Sequence, residues 1–160
     1  MNLSDFTELI KSFVIQNYEI EKITEQVEKR DRSESVAKRL ITGKAAEEYF
    51  KATYLSIHPF VEFKLSDATN LACGFDFKLS KNMDFYCIEV KGLNLNTGSI
   101  AMTEKEHSVA YELKDKYCLF VVKNFMEKPY HQLFFNPLNS DLKFRKKERT
   151  VIQINYSTSL

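Results

Sequence analysis

The 160-residue chain has only four glycines, three prolines and three cysteines, and 23 basic against 22 acidic side chains leave a net charge of +1. With 44% apolar and 28% charged residues and no low-complexity tract, it is an ordinary globular chain of one domain's length. No apolar run approaches the roughly 18 residues that a membrane-spanning helix needs. The first ten residues carry Asp5 and Glu8 and lack the basic start and apolar run of a secretory signal, so the expectation is a cytoplasmic protein. Cys73, Cys87 and Cys118 are odd in number and lack CxxC spacing, which leaves them as buried, reduced thiols in strands. His58, His107 and His131 are scattered and lack zinc-site spacing. No Gly-rich phosphate loop is present. The near-zero charge excludes a protein held to nucleic acid by its global field. Any such contact must rest on the one dense basic patch, Lys143, Arg145, Lys146, Lys147 and Arg149. That patch reads first as a solvated segment and second as a phosphate-contacting one.

Periodicity divides the chain into a helical first third and a strand-rich remainder. Phe6, Leu9, Ile10, Phe13 and Val14 recur at helical spacing behind Ser4 or Asp5, and Ile20, Ile23 and Val27 mark a second helix. A third is expected over residues 34–55, opening at Ser33 and ending before Pro59, with Val36, Leu40, Ile41, Ala45, Tyr49 and Ala52 on its apolar face. Val61, Phe63 and Leu65 alternate with Glu62 and Lys64 as a half-buried strand. Thr103 followed by Glu106 is a capping box that opens a helix reaching Lys114. Residues 117–122 form an apolar run suited to a strand covered on both faces, and 131–135 and 150–156 are later strand candidates. A helix between a hairpin and a buried strand implies a crossover, hence an α/β sandwich with a mixed sheet flanked by helices.

The hairpin itself, residues 73–92, carries the chemistry. Two β-prone runs flank a short polar turn, with Asp76 in the first and Glu89 and Lys91 in the second. Strand side chains alternate faces, so Glu89 and Lys91 point one way while Ile88 and Val90 point the other. A metal-dependent phosphodiesterase needs two carboxylates for a divalent cation and an ammonium beside them. The hairpin supplies all three. An exposed strand face without a role would show the same alternation.

Gly74-Phe75-Asp76, a turn, then Ile88-Glu89-Val90-Lys91-Gly92 resembles the PD-(D/E)XK nuclease superfamily. The helix with Gly43-Lys44-Ala45-Ala46-Glu47, Asn70, the segment Ile100 to Glu106 and the strand from Tyr117 extend the likeness to the NO VEIN C-terminal branch over residues 43–123. One departure is His107, where that family usually has an aromatic residue, most often tryptophan. The resemblance implies a restriction-endonuclease-like three-layer sandwich over residues 34–160, preceded by a helical segment over 1–33. It implies Mg²⁺, for which Mn²⁺ substitutes, held by Asp76, Glu89 and the backbone carbonyl of Val90. Lys91 would stand beside the attacking water, and Glu47 would hold a metal-bound water or a second ion. Glu106 and the polar loop residues Asn94, Asn96 and Thr97 are read as cap and turn residues. The expected activity is DNA cleavage in restriction or defence, as a domain or subunit that could need a recognition or ATPase partner or a second copy. The alternative is a non-catalytic nucleic-acid or protein-binding module on the same scaffold.

Overall fold

The structure, a computed structural model, describes residues 31–158, and side chains from Lys38 onward. The two short helices expected before residue 28 lie outside that range. Helix α1 spans Asp31–Thr53 and passes into a 3₁₀ turn, Tyr54–Ser56. The strands are β1 (Lys64–Asp67), β2 (Phe77–Lys81), β3 (Asp84–Gly92), β4 (Tyr117–Lys123) and β5 (Tyr130–Phe135); helix α2 (Glu104–Leu113) lies between β3 and β4.

The five strands form one sheet in sequence order. Neighbours are antiparallel except β3 and β4, which run parallel because α2 carries the chain back between them. Asn82 and Met83 form the tight β2–β3 turn, with Asn82 at φ 54°, a left-handed conformation that asparagine tolerates. Alternation along β3 and β4 then divides the core. Ile88, Val90, Cys118, Phe120 and Val122 pack with Ala46 and Phe50 of α1, while Cys87 and Tyr117 pack with Ala110 of α2. Each helix therefore covers its own set of strand side chains, and the mixed helix-flanked sheet expected from the sequence is present.

Several local expectations are corrected. Ser33 lies inside α1 and does not open it. The buried stripe of α1 is Thr42, Ala45, Ala46 and Phe50, whereas Leu40 and Ile41 are 67% and 43% exposed and Ala52 is also exposed. Small residues decide this, because α1 crosses β3 at Gly92, where an added Cβ would lie 2.5 Å from the Thr42 carbonyl oxygen. Phe63 is buried as expected, but Glu62 takes φ 72° and the strand begins only at Lys64. Cys73 sits half-buried in a turn, while Cys87 and Cys118 are buried in strands; all three are free thiols. Residues 150–156 form no strand: Val151, Ile152, Ile154 and Tyr156 are exposed. A strand needs a partner for its backbone hydrogen bonds, and alternation alone does not supply one.

Candidate active site

The hairpin register brings the two acids side by side. Phe77 pairs with Ile88, so Asp76, one residue before β2, continues the ladder beside Glu89. The Asp76 N–H donates to the Ile88 carbonyl at 2.9 Å, and the Val90 N–H donates to Asp76 Oδ2 at 2.8 Å. The carboxylate is thus held across β3 by one oxygen. The loop before it turns on Gly74 (φ +92°), whose carbonyl accepts the Tyr117 hydroxyl at 3.0 Å. A Cβ at Gly74 would meet Val109 Cγ2 of α2 at 2.8 Å, so the approach of this loop to α2 requires glycine.

Glu89 points to the α2 side of the sheet, where its partners across β4 are Leu119 and, further along, Val121 beside Lys91. It is 3% exposed. Lys91 Nζ lies 2.6 Å from Glu89 Oε1 and 2.9 Å from Glu106 Oε2. That same Glu106 oxygen accepts the Thr103 N–H at 3.0 Å, and the Glu106 N–H donates to Thr103 Oγ1 at 3.2 Å. The capping box is present as expected. Reading Glu106 as a cap alone was incomplete, because its carboxylate also grips the site lysine. Sequence pattern does not reveal that bond. One signal bears on it: a βα crossover places the first turn of the helix near the carboxyl end of the preceding strand, where Lys91 sits.

Glu47 approaches from α1. Its carboxylate pairs with Lys44 at 2.8 Å, while its charge reaches Asp76. Its neighbour Glu48 pairs with Lys51 at 2.6 Å. Burial pushes the Asp76 carboxyl up to about 6; the Val90 N–H opposes this, and the charges of Glu47 and Glu106 add to it. Burial likewise pushes Glu89 up to about 8, with Asp76 adding and Lys91 opposing. Burial works against the Lys91 ammonium, yet Glu89 and Glu106 outweigh it and hold its pKa above the ordinary lysine value. Asp76, Glu89 and Glu106 thus act on one another around Lys91, and Glu47 adds its charge to Asp76 alone. The surplus negative charge, carried on hard oxygen donors, suits a divalent cation of the magnesium type. Among the described residues no group of three or more His, Cys, Asp or Glu side chains is placed to hold a metal by itself. A cation here would draw on the backbone as well as on Asp76 and Glu89.

The remaining sequence candidates lie outside this cluster. Lys143, Arg145, Lys146 and Lys147 are exposed in an irregular segment, with Lys146 paired to Glu148 at 2.6 Å. Within that segment the Phe144 ring meets the His107 ring edge-on, centroids 6.4 Å apart. The basic run therefore starts against α2, at the residue after Glu106. His131 stacks on Phe120 and lies 3.1 Å from the Tyr49 hydroxyl, a packing role on β5. Asn94 is an exposed loop residue whose side-chain oxygen accepts the Thr42 hydroxyl of α1 at 2.8 Å, a contact between elements and not within the turn.

Among the described residues, a five-stranded mixed sheet with two helices, and an acidic cluster around one lysine, defines an α/β domain with a buried charged site. The chain belongs to the family of the C-terminal domain of protein NO VEIN, whose model matches residues 44–135. That span runs from the second half of α1 through β5 and contains Glu47, Asp76, Glu89, Lys91 and Glu106; the basic run lies beyond it. No curated protein and no solved structure matches the chain.

Proposed function

We propose that this chain is a metal-dependent phosphodiesterase that cleaves DNA, a restriction-endonuclease-like domain serving restriction or defence. The observation that carries the reading is the buried Glu89 carboxylate, 2.6 Å from Lys91 and repelled by the carboxylate of Asp76. Withdrawing two interacting acids from water costs stability, which marks the pair as a candidate functional site. The motif likeness to PD-(D/E)XK nucleases adds to this, as does the exposed basic run anchored beside α2.

In this reading Asp76, Glu89 and the Val90 carbonyl would hold Mg²⁺ or Mn²⁺. Bound there, the ion supplies Lewis-acid polarisation of the phosphodiester and lowers the pKa of a water. The chain's own groups do the rest. The Val90 N–H fixes Asp76, leaving its second oxygen available. Lys91, positively charged and held between two carboxylates, orients the attacking water and neutralises charge gathering on the phosphorane oxygens. Leu119 and Val121, the β4 register partners of Glu89 and Lys91, are buried beside them. Glu47 adds negative charge toward Asp76 from the opposite helix.

The test is cleavage of plasmid and linear DNA with Mg²⁺ or Mn²⁺. Asp76→Ala, Glu89→Ala and Lys91→Ala should each lose about 100-fold or more of the rate while keeping the native circular dichroism spectrum. Metal binding should vanish in Asp76→Asn. Equal cleavage by all three variants would refute the mechanism. Metal-independent binding to DNA or protein, with no cleavage under any condition, would point to the non-catalytic module.

A further inference from the structure

We propose that Glu106 is a positioning residue for Lys91: the carboxylate oxygen that closes the first turn of α2 also fixes the ammonium beside Glu89. For its catalytic consequence the proposal rests on the hydrolytic reading above; its structural content does not. Glu106 Oε2 is a shared acceptor, 3.0 Å from the Thr103 nitrogen and 2.9 Å from Lys91 Nζ. The Glu106 side chain is 15% exposed and that of Lys91 21%, so both ends of the pair are largely withdrawn from water.

A lysine side chain has four rotatable bonds and no fork geometry, and one carboxylate does not determine where its ammonium sits. Glu89 alone would draw Lys91 onto the carboxylate proposed to hold the metal. Glu106, coming from a different element, pulls along a second direction and spreads the donors of the ammonium over two acceptors. One Glu106 oxygen thus serves two bonds, the Thr103 N–H of the α2 cap and the Lys91 ammonium. A cap needs only an acceptor for the Thr103 N–H, which a glutamine provides as well as a glutamate. Holding Lys91 against the pull of Glu89 needs the negative charge. The two roles therefore separate by substitution.

The experiment measures reductive methylation of Lys91 with formaldehyde and cyanoborohydride, read by peptide mass spectrometry, beside kcat and KM for DNA. It compares the wild type, Thr103→Ala, Glu106→Gln and Glu106→Ala. Glu106→Gln should keep the α2 cap and the melting temperature, yet raise Lys91 labelling about threefold or more as the ammonium gains freedom. Its kcat should fall about tenfold with KM little changed, the signature of lost alignment rather than lost binding. Thr103→Ala should lower the melting temperature by a few degrees while leaving Lys91 labelling at the wild-type level. Wild-type labelling in both Glu106 variants, or equal labelling in Thr103→Ala and Glu106→Ala, would overturn the proposal and leave Glu106 a cap. A wild-type protein that cleaves no DNA would refute the hydrolytic reading alone, since labelling still decides the positioning role.

Discussion

Asp76 and Glu89 are acids that the fold makes hard to ionise, and this has a measurable sign. In the unfolded chain both titrate near their ordinary values; in the folded protein burial and mutual repulsion raise Asp76 to about 6 and Glu89 to about 8. Between pH 4 and 8 the folded state therefore binds more protons than the unfolded one, and stability falls as pH rises through that window. Below the ordinary carboxylate range the contribution is fully present; above about 8 it is lost. With a chelator present, the melting temperature should fall from pH 5.5 to pH 8.5 in excess of the change in Glu89→Gln. The substitution should also stabilise the protein at pH 8.5 by roughly 2 kcal/mol, because it removes a buried charge while Glu106 still partners Lys91. An unchanged pH profile in Glu89→Gln would show that this carboxylate is not the source. Mg²⁺ added to the wild type at pH 8.5 should recover stability in proportion to its binding.

At the scale of elements, α1 crosses the end of β3 at close range, and one glycine inside that contact and one outside it test it. An alanine Cβ at Gly92 would lie 2.5 Å from the Thr42 backbone oxygen, 2.9 Å from Thr42 Cγ2 and 3.1 Å from Ala46 Cβ. Backbone cannot swing aside, so α1 must lift. Gly92→Ala should cost about 2 kcal/mol by urea unfolding. Gly43 lies within α1 with nothing inside 4 Å of its would-be Cβ. Gly43→Ala should stabilise by about 0.5–1 kcal/mol, because alanine loses less backbone freedom in a helix. If Gly92→Ala proved neutral, the packing of α1 on β3 would be wrong. The same contact explains what the sequence concealed. Hydropathy pointed to Leu40 and Ile41, but close approach at the crossing selects small residues, and the buried stripe is Thr42, Ala45 and Ala46, with Phe50 following. The hairpin, the Thr103 cap and the buried strand β4 were legible because local spacing and turn chemistry determine them. So were Asp76, Glu89 and Lys91 as neighbours on one hairpin. The Lys91–Glu106 bond was not, since it joins two elements through a tertiary contact. The exposed residues 150–156 alternate like a strand and pair with none, because pairing too is tertiary.

Across the whole molecule the charges nearly cancel, yet they are separated: acids gather around Lys91, and an exposed run of five basic residues and one acid follows β5. Phe144 holds the start of that run against His107, next to the residue that grips Lys91. A DNA backbone reaching an acidic cluster is repelled by it, and cations beside the cluster offset that repulsion over about one Debye length, near 8–10 Å. Their attraction works by releasing counterions from DNA, so it shows in the dependence of binding on salt. Truncation after Phe144 removes Arg145, Lys146, Lys147 and Arg149 while keeping the aromatic anchor and every strand of the sheet. The shortened protein should keep its melting temperature within about 2 °C, since the described residues of the removed segment, 145–158, are exposed and contribute no sheet pairing. Its affinity for DNA should fall, and the slope of log K against log salt should drop by about 2–3 units, one for each phosphate that is no longer neutralised. Fluorescence anisotropy with labelled duplex from 50 to 200 mM salt measures both quantities. Identical affinity and slope in the two proteins would make the basic run a solvated segment with no part in binding.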